Sequence, residues 1–352
     1  MFHPRAQTFA TGSSMALRQH AIPLVAALVL AATAAGVRAA ALDWSDFHAR
    51  MQSARAVLVA HFAQIDRRSK MAANLEERLD SQLGLLSAGS KPAYLQPSLY
   101  LDYALTEADL DASLIGQLAS GHPHNLSAVH GADDVPFRAV ADGLQQPLGV
   151  FVPQSYDSHV PAPLVIMLHG FSQTEADEIA SPWIRSIANA TGAIVAAPYA
   201  RGDVHYAGLA PQDIYQTVAL MRHAFTIDPR RVYLAGHSMG GFGIFTVGTL
   251  HPDTWAAFLC VSGAMTEDDK NTALERLTTK PVYLVEGSDD QVVPALYVRR
   301  TARLLDSAGI PVRYYEQAGG QHSLGTIAQS FSQAWRDMLA GVTTRLPIPP
   351  DQ

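Results

Sequence analysis

Residues 231–241 read RVYLAGHSMGG, and their reading decides the fold. Val232–Ala235 is a short β-rich run that ends in Gly236-His237-Ser238-Met239-Gly240, of the form G-x-S-x-G, and Phe242–Leu250 can be helical. A strand, a tight turn carrying a serine and then a helix is the context of a nucleophile elbow, in which the turn lifts the hydroxyl above the sheet edge. Flanking glycines relieve the Cβ clashes of so sharp a turn. The start of the helix offers unpaired N–H groups beside the hydroxyl. By chance such a pentapeptide arises in roughly one chain in ten of this length, so the context and the partners downstream carry the reading.

A serine hydroxyl needs a base, a group to orient that base, and donors for the oxyanion. The expected chain order is serine, acid, histidine, each after its own strand. Strand Val282–Glu286 runs into GSDDQVVP (287–294), and strand Val312–Glu316 runs into GGQHS (319–323). Ser238, Asp290 and His322 therefore fall at successive strand ends in that order. Asp290 is assigned as the acid; in the alternative, Asp289 holds the imidazole and Asp290 caps the next helix. The Met239 N–H, just after the nucleophile, is the first expected oxyanion donor, and the Phe171 N–H, after the apolar strand Leu164–Leu168, is the second. His237 is expected to shape the turn, His169 to be structural, and Trp183 to pack its helix or line the pocket.

Outward from this region, strands and helices alternate from Pro136 to the end of a helix at Gly325–Leu339. Phe137–Ala141 and Leu148–Val152 read as an antiparallel pair joined at Asp142-Gly143. The fold class is α/β: a mostly parallel central sheet covered by helices on both faces, with functional loops at the carboxyl ends of the strands. The expected organisation is a signal peptide over 1–39, a helical N-terminal appendage and linker over 40–135, a catalytic domain over 136–342 and a tail over 343–352. In the appendage, Met51, Ala54, Leu58 and Met71, Leu75, Leu79 recur at helical spacing. A break near Asp66–Lys70 would make this an antiparallel pair. Residues 87–135 read as irregular, with one helical stretch at Glu107–Leu118 and turn chemistry at Asp133-Asp134. Gly121-His-Pro-His124 lacks the carboxylate or thiol pattern of a metal site, so no metal is expected.

Arg5 and Arg18 precede an apolar run, Ala21–Val37, and Val37-Arg38-Ala39 has small residues where a signal peptidase would cut. The protein is expected to be secreted or periplasmic, with no membrane span after cleavage. Of 25 basic and 32 acidic residues, three arginines and no acids lie in 1–39, which leaves the remainder at a formal charge of −10. That balance argues against nucleic acid and anionic membrane as partners. The single cysteine, Cys260, sits in an apolar strand-like run and reads as core.

The stretch from about Gly149 to Leu339 resembles the α/β-hydrolase superfamily. Within it, the chain is similar to the secreted esterase and predicted-peptidase group related to prolyl oligopeptidase, esterase D and polyhydroxybutyrate depolymerases. The residues carrying this are GVFVPQSYD (149–157), PLVIMLHGFS (163–172), IDPRRVYLAGHSMGGFG (227–243), GSDDQVVP and GGQHS. The resemblance implies hydrolysis of esters, less often amides, through an acyl-enzyme, with no cofactor. Glu286 departs from the pattern, since many relatives have a histidine there. The region ahead of the hydrolase domain reads as helical and not as a β-propeller, which lowers a peptidase reading.

The sequence thus points to a serine carboxylesterase acting on small-molecule or polymer-linked esters. The segment Ser262–Pro281 is too short for a large cap, so an open cleft is expected. The rivals are a peptidase of the prolyl-oligopeptidase type and a non-catalytic binding protein on the same fold. An acyltransferase is a further variant.

Overall fold

The computed structural model describes residues 44–62, 64, 71–86 and 98–350. The expected signal segment and the expected break near 66–70 lie outside these residues. Three helices come first: α1 (Trp44–His61), α2 (Met71–Leu86) and α3 (Ser98–Ser120). β1 (Gly131–Arg138), β2 (Gln145–Val152) and β3 (Ala162–Leu168) follow, then α4 (Glu175–Ala180), α5 (Pro182–Thr191), β4 (Ile194–Pro198), α6 (Ala210–Ala224) and β5 (Ile227–His237). The chain continues through α7 (Met239–Leu250), β6 (Phe258–Val261), α8 (Glu267–Arg276), β7 (Val282–Gly287), α9 (Ala295–Ser307), β8 (Val312–Gln317) and α10 (Ala328–Ala340).

The eight strands form one sheet in the order β1-β2-β4-β3-β5-β6-β7-β8. β1 and β2 pair antiparallel, β2 meets β4 antiparallel, and the remaining pairs are parallel. From β3 the chain winds to β4 on one side and then returns to β5 on the other. The switch point therefore lies between β3 and β5, where the fold opens a crevice at the strands' carboxyl ends. The loop bearing Phe171 and the turn bearing Ser238 are the two walls of that crevice.

β3 shows why the sheet is covered on both faces. All seven of its residues are buried, and from Leu164 to Leu168 they alternate between two cores. Leu164, Ile166 and Leu168 pack with Ile214 and Met221 of α6, Phe245 of α7 and Val298 of α9. Val165 and Met167 pack with Ile179 of α4, Ile184 of α5 and Trp335 of α10. A continuous apolar strand of this kind belongs in the middle of a parallel sheet.

The N-terminal helices build a third core of their own. Met51, Ala54 and Leu58 of α1 meet Met71, Leu75 and Leu79 of α2 and Leu105, Ala108 and Leu114 of α3. Arg55 of α1 bonds Asp80 of α2 at 2.7 Å. Here α3 differs from expectation: it runs 23 residues rather than the twelve of Glu107–Leu118. Burial of Ala104 and Leu105 against the other two helices extends it into a stretch whose local composition is unpromising.

β1 also begins earlier than expected, at Gly131, and its register with β2 runs from Gly131↔Val152 to Arg138↔Gln145. Asp133 and Asp134 are strand residues, not a turn. Asp133 accepts from Ser113 Oγ at 2.8 Å and faces His124 Nδ1 at 2.7 Å. Asp134 is fully buried. Partners on α3 and beyond thus hold two aspartates in a strand that propensity disfavours.

Candidate active site

Ser238 sits between β5 and α7 with φ 54° and ψ −117°. This is a costly backbone for a residue with a Cβ, of the kind that persists where surrounding structure enforces it. The flanking glycines do not carry the strain; they permit close packing. A Cβ on Gly236 would lie 2.3 Å from the Gly240 carbonyl oxygen, and one on Gly240 would lie 2.1 Å from the Leu168 oxygen. The elbow is therefore pressed against its own helix and against the end of β3. Its backbone is anchored by Ser238 N–H donating to the Val261 carbonyl at 2.9 Å.

His322, in the loop after β8, lies with Nε2 2.8 Å from Ser238 Oγ. Its Nδ1 lies 2.7 Å from Asp290 Oδ2. The other Asp290 oxygen accepts from the N–H groups of Val292 at 2.8 Å and Val293 at 2.9 Å. Asp289 points elsewhere: its Oδ1 accepts from Ser288 Oγ at 2.7 Å and its N–H donates to the Gly320 carbonyl at 2.9 Å. Asp290 is thus the carboxylate on the imidazole. Burial alone would raise its pKa, but the bonds from His322 and the two N–H groups outweigh that and hold it below the usual carboxylate range. It stays an anion, as a group that orients an imidazole must.

The loop after β3 forms the facing wall. A Cβ on Gly170 would lie 3.4 Å from Ser238 Cβ, so this loop touches the nucleophile. Gly170 N–H donates to Gln173 Oε1 at 3.1 Å, and Gln173 N–H donates back to the Gly170 carbonyl at 3.2 Å. Ser172, with φ 60°, has its N–H bonded to Asp203 Oδ1 at 2.8 Å. Among the described residues, the N–H groups of Phe171 and Met239 donate to no protein acceptor. One of these donors directly follows Ser238 in the chain and the other lies in the loop that touches it, the placement expected of oxyanion donors. Phe171 is 57% exposed, and its ring lies 6.1 Å from the ring of His205.

The remaining histidines brace these loops. His237 donates from Nε2 to the His322 carbonyl at 2.7 Å and so fixes the loop that carries the imidazole. Burial, then the neighbouring His322 charge, pushes its pKa down to about 4, which keeps it neutral. His169 is fully buried, its ring nitrogens 2.8 Å from the Gly170 carbonyl and 3.0 Å from the Tyr199 carbonyl. Trp183 packs on Gly325, three residues beyond His322. Gln173 and Asp203 hold the donor loop and went unread in the sequence. Asp203 follows the end of β4, the position that could have flagged it.

Glu286 occupies the floor of the acid loop, fully buried. Its Oε1 accepts from the Gly287 N–H at 2.7 Å, and burial, then the Asp290 charge, raises its pKa to about 9. It is a neutral acid at pH 7. Among the described residues no group of His, Cys, Asp and Glu is arranged to hold a metal.

Compared with known proteins, residues 143–346 match the family profile Esterase, described as "Putative esterase". The chain belongs to this esterase family. Among curated proteins, it is 30% identical over 115 residues to a poly(3-hydroxybutyrate) depolymerase of Ralstonia pickettii, covering 26% of this chain and 23% of that one. It is 28% identical over 141 residues to a bifunctional acetylxylan esterase/xylanase of Neocallimastix patriciarum, covering 38% and 20%. The chain thus spans no more than a quarter of the length of either relative. Among solved structures, a thermostable esterase superposes with a TM-score of 0.50 at 20% identity, covering 59% of this chain and 62% of that one. The fluorophosphonate-binding serine hydrolase F of Staphylococcus aureus gives 0.50 at 17% identity, covering 59% and 98%. These superpositions show that the esterase-family region has the α/β-hydrolase fold.

Proposed function

We propose that this esterase-family protein is an exported serine carboxylesterase working through an acyl-enzyme. The observation that carries the proposal is the unbroken run Ser238 Oγ–His322 Nε2 (2.8 Å) and His322 Nδ1–Asp290 Oδ2 (2.7 Å) on a strained elbow. In this reading His322 takes the Ser238 proton as Oγ attacks the ester carbonyl. The oxyanion forms between the Met239 and Phe171 N–H groups. His322 then protonates the leaving alcohol, and the acyl group stays on Ser238. Water, deprotonated by the same imidazole, attacks the acyl carbon and regenerates the enzyme. Asp290 holds the tautomer throughout, and no step calls for a cofactor.

The mouth of the site supports a reading of the substrate class. Ser238 and His322 are both half-buried rather than sealed, and only the short helix α8 lies between β6 and β7. A crevice with no large insertion between β6 and β7 and with an exposed Phe171 suits bulky or polymer-linked esters, and the two curated relatives are named for a polyester and for acetylated xylan. Export is proposed from the apolar run behind Arg5 and Arg18, and a single cysteine is compatible with it. The test is a rate panel of p-nitrophenyl acetate through octanoate, methyl ferulate and a prolyl anilide, with Ser238→Ala as blank. Fast esters with a dead blank support the reading. Anilide turnover at comparable rates moves the assignment to a peptidase, and no Ser238-dependent rate on any substrate moves it to a binding protein.

A further inference from the structure

The helical segment ahead of the hydrolase fold touches the donor loop at one end and reaches its other end through Tyr199. Asn74 and Arg78 lie one turn apart on α2 and so share a face. Asn74 Nδ2 donates to Tyr199 OH at 2.6 Å. The Tyr199 carbonyl lies 3.0 Å from His169 Nε2, and its ring stacks on the His169 ring at 6.1 Å. His169 is the residue that opens the loop. At the other end, Arg78 Nη1 donates to Thr174 Oγ1. Thr174 is the residue that closes the loop and caps α4, its N–H bonded to Asp177 Oδ2 at 2.7 Å.

Arg78 is not a swinging surface side chain. Its other terminal nitrogen lies 2.8 Å from Asp111 and 3.5 Å from Glu175, two carboxyls that are fully buried. A planar guanidinium held by several partners on its fork has one position available to it. From α3, Tyr103 OH donates to Asp177, the same carboxylate that caps Thr174. The hydrolase body itself holds the loop through Asp203 on Ser172 and through Tyr206 OH on the His169 carbonyl at 2.7 Å. Between these ties lies Phe171, whose N–H is left free.

We propose that α2 is a built-in clamp on the oxyanion loop, with Asn74 and Arg78 as positioning residues that set the Phe171 N–H against Ser238. The proposal rests on the serine-esterase reading above and extends it, because it makes the N-terminal helices part of the catalytic apparatus. A donor displaced by a fraction of an ångström still binds the ground-state ester but stabilises the oxyanion less. Loosening the clamp therefore lowers kcat and spares KM.

The test compares Asn74→Ala, Tyr199→Phe, their double variant and Arg78→Lys in the full chain, on p-nitrophenyl butyrate. The second probe is an alkyl trifluoromethyl ketone, which adds to the serine and places an oxyanion in the hole. Each variant is expected to lose ~10–100-fold in kcat with KM within ~3-fold, and the ketone Ki is expected to rise by the factor that kcat falls. Asn74→Ala and Tyr199→Phe remove the same bond, so their double variant should be no worse than either alone. Should Arg78→Lys fail to fold, the Asn74 and Tyr199 variants decide the matter. Folded variants with wild-type kcat and Ki would overturn the clamp while leaving the esterase intact. A wild-type protein with no Ser238-dependent turnover would overturn the esterase reading itself, and the clamp with it.

Discussion

Replacing Asp290 by Asn keeps the shape of the acid loop and inverts its bonding toward His322. The oxygen that accepts from Val292 and Val293 at 2.8 and 2.9 Å is retained, so the loop has its anchors. The new NH2 group faces His322 Nδ1, which sits 2.7 Å from the oxygen it replaces. It can only donate, so Nδ1 must accept and the ring proton moves to Nε2. Nε2 then points a proton, not a lone pair, at Ser238 Oγ 2.8 Å away. The same exchange in the general Ser-His-Asp template costs about 10⁴ in kcat, equivalent to ~5.5 kcal/mol at ~1.36 kcal/mol per decade. With both N–H anchors kept, the melting temperature should move by no more than about 3 °C. Asp289→Asn is the matched control: its carboxylate meets Ser288 and not the ring, so kcat should stay within ~3-fold. The assay is kcat on p-nitrophenyl butyrate with Tm for each variant. If Asp290→Asn kept more than about a tenth of wild-type kcat while Asp289→Asn collapsed, the assignment of the acid and the tautomer argument would both be wrong.

Two further outcomes follow from the site. Ser238 holds φ 54° and ψ −117°, which glycine tolerates and alanine does not. Ser238→Gly should therefore be about 1 kcal/mol more stable than Ser238→Ala in urea unfolding, both being inactive; equal midpoints would mean the elbow is unstrained. Glu286 has its folded pKa raised to about 9, above its unfolded value. Its contribution is fully present below the unfolded pKa and is lost as pH rises toward 9, so the stability of the wild type should fall from pH 5 to 9 relative to that of Glu286→Gln. Buried Asp134 acts in the same direction, its pKa raised by burial and then by the Glu175 charge. Glu286→Gln should remove about 2–4 kcal/mol of that loss, so parallel Tm curves for the two proteins would contradict a neutral Glu286.

The sheet was legible where each strand carried a local signal. β3 is a bare apolar run, β5 ends in G-x-S-x-G, and β7 and β8 each end in a Gly-rich turn holding a polar side chain. α9 has the bounds its pattern suggests, Ala295–Ser307. Strand-end order places Ser238, Asp290 and His322, and the structure brings their side chains into one hydrogen-bonded line. Choosing between Asp289 and Asp290 needed the turn geometry, because adjacent residues share every signal of spacing. The length of α3 and the strand placement of Asp133 and Asp134 were not legible, because the first depends on packing against α1 and α2 and the second on side chains of α3 and the loop after it. The same holds for Asn74 and Arg78. Their partners lie 125 and 96 residues away, and nothing local distinguishes them from surface polar residues of an amphipathic helix.

The central claim is that Ser238 is the nucleophile of an acyl-enzyme. The most direct measurement is peptide mass spectrometry of the full chain after reaction with a fluorophosphonate, alongside Ser238→Ala and His322→Ala. The account predicts one adduct, on the peptide containing Ser238, absent from the Ser238→Ala variant and strongly slowed without the imidazole. Ester turnover that persists in the Ser238→Ala variant, or an adduct on any other residue, would contradict it.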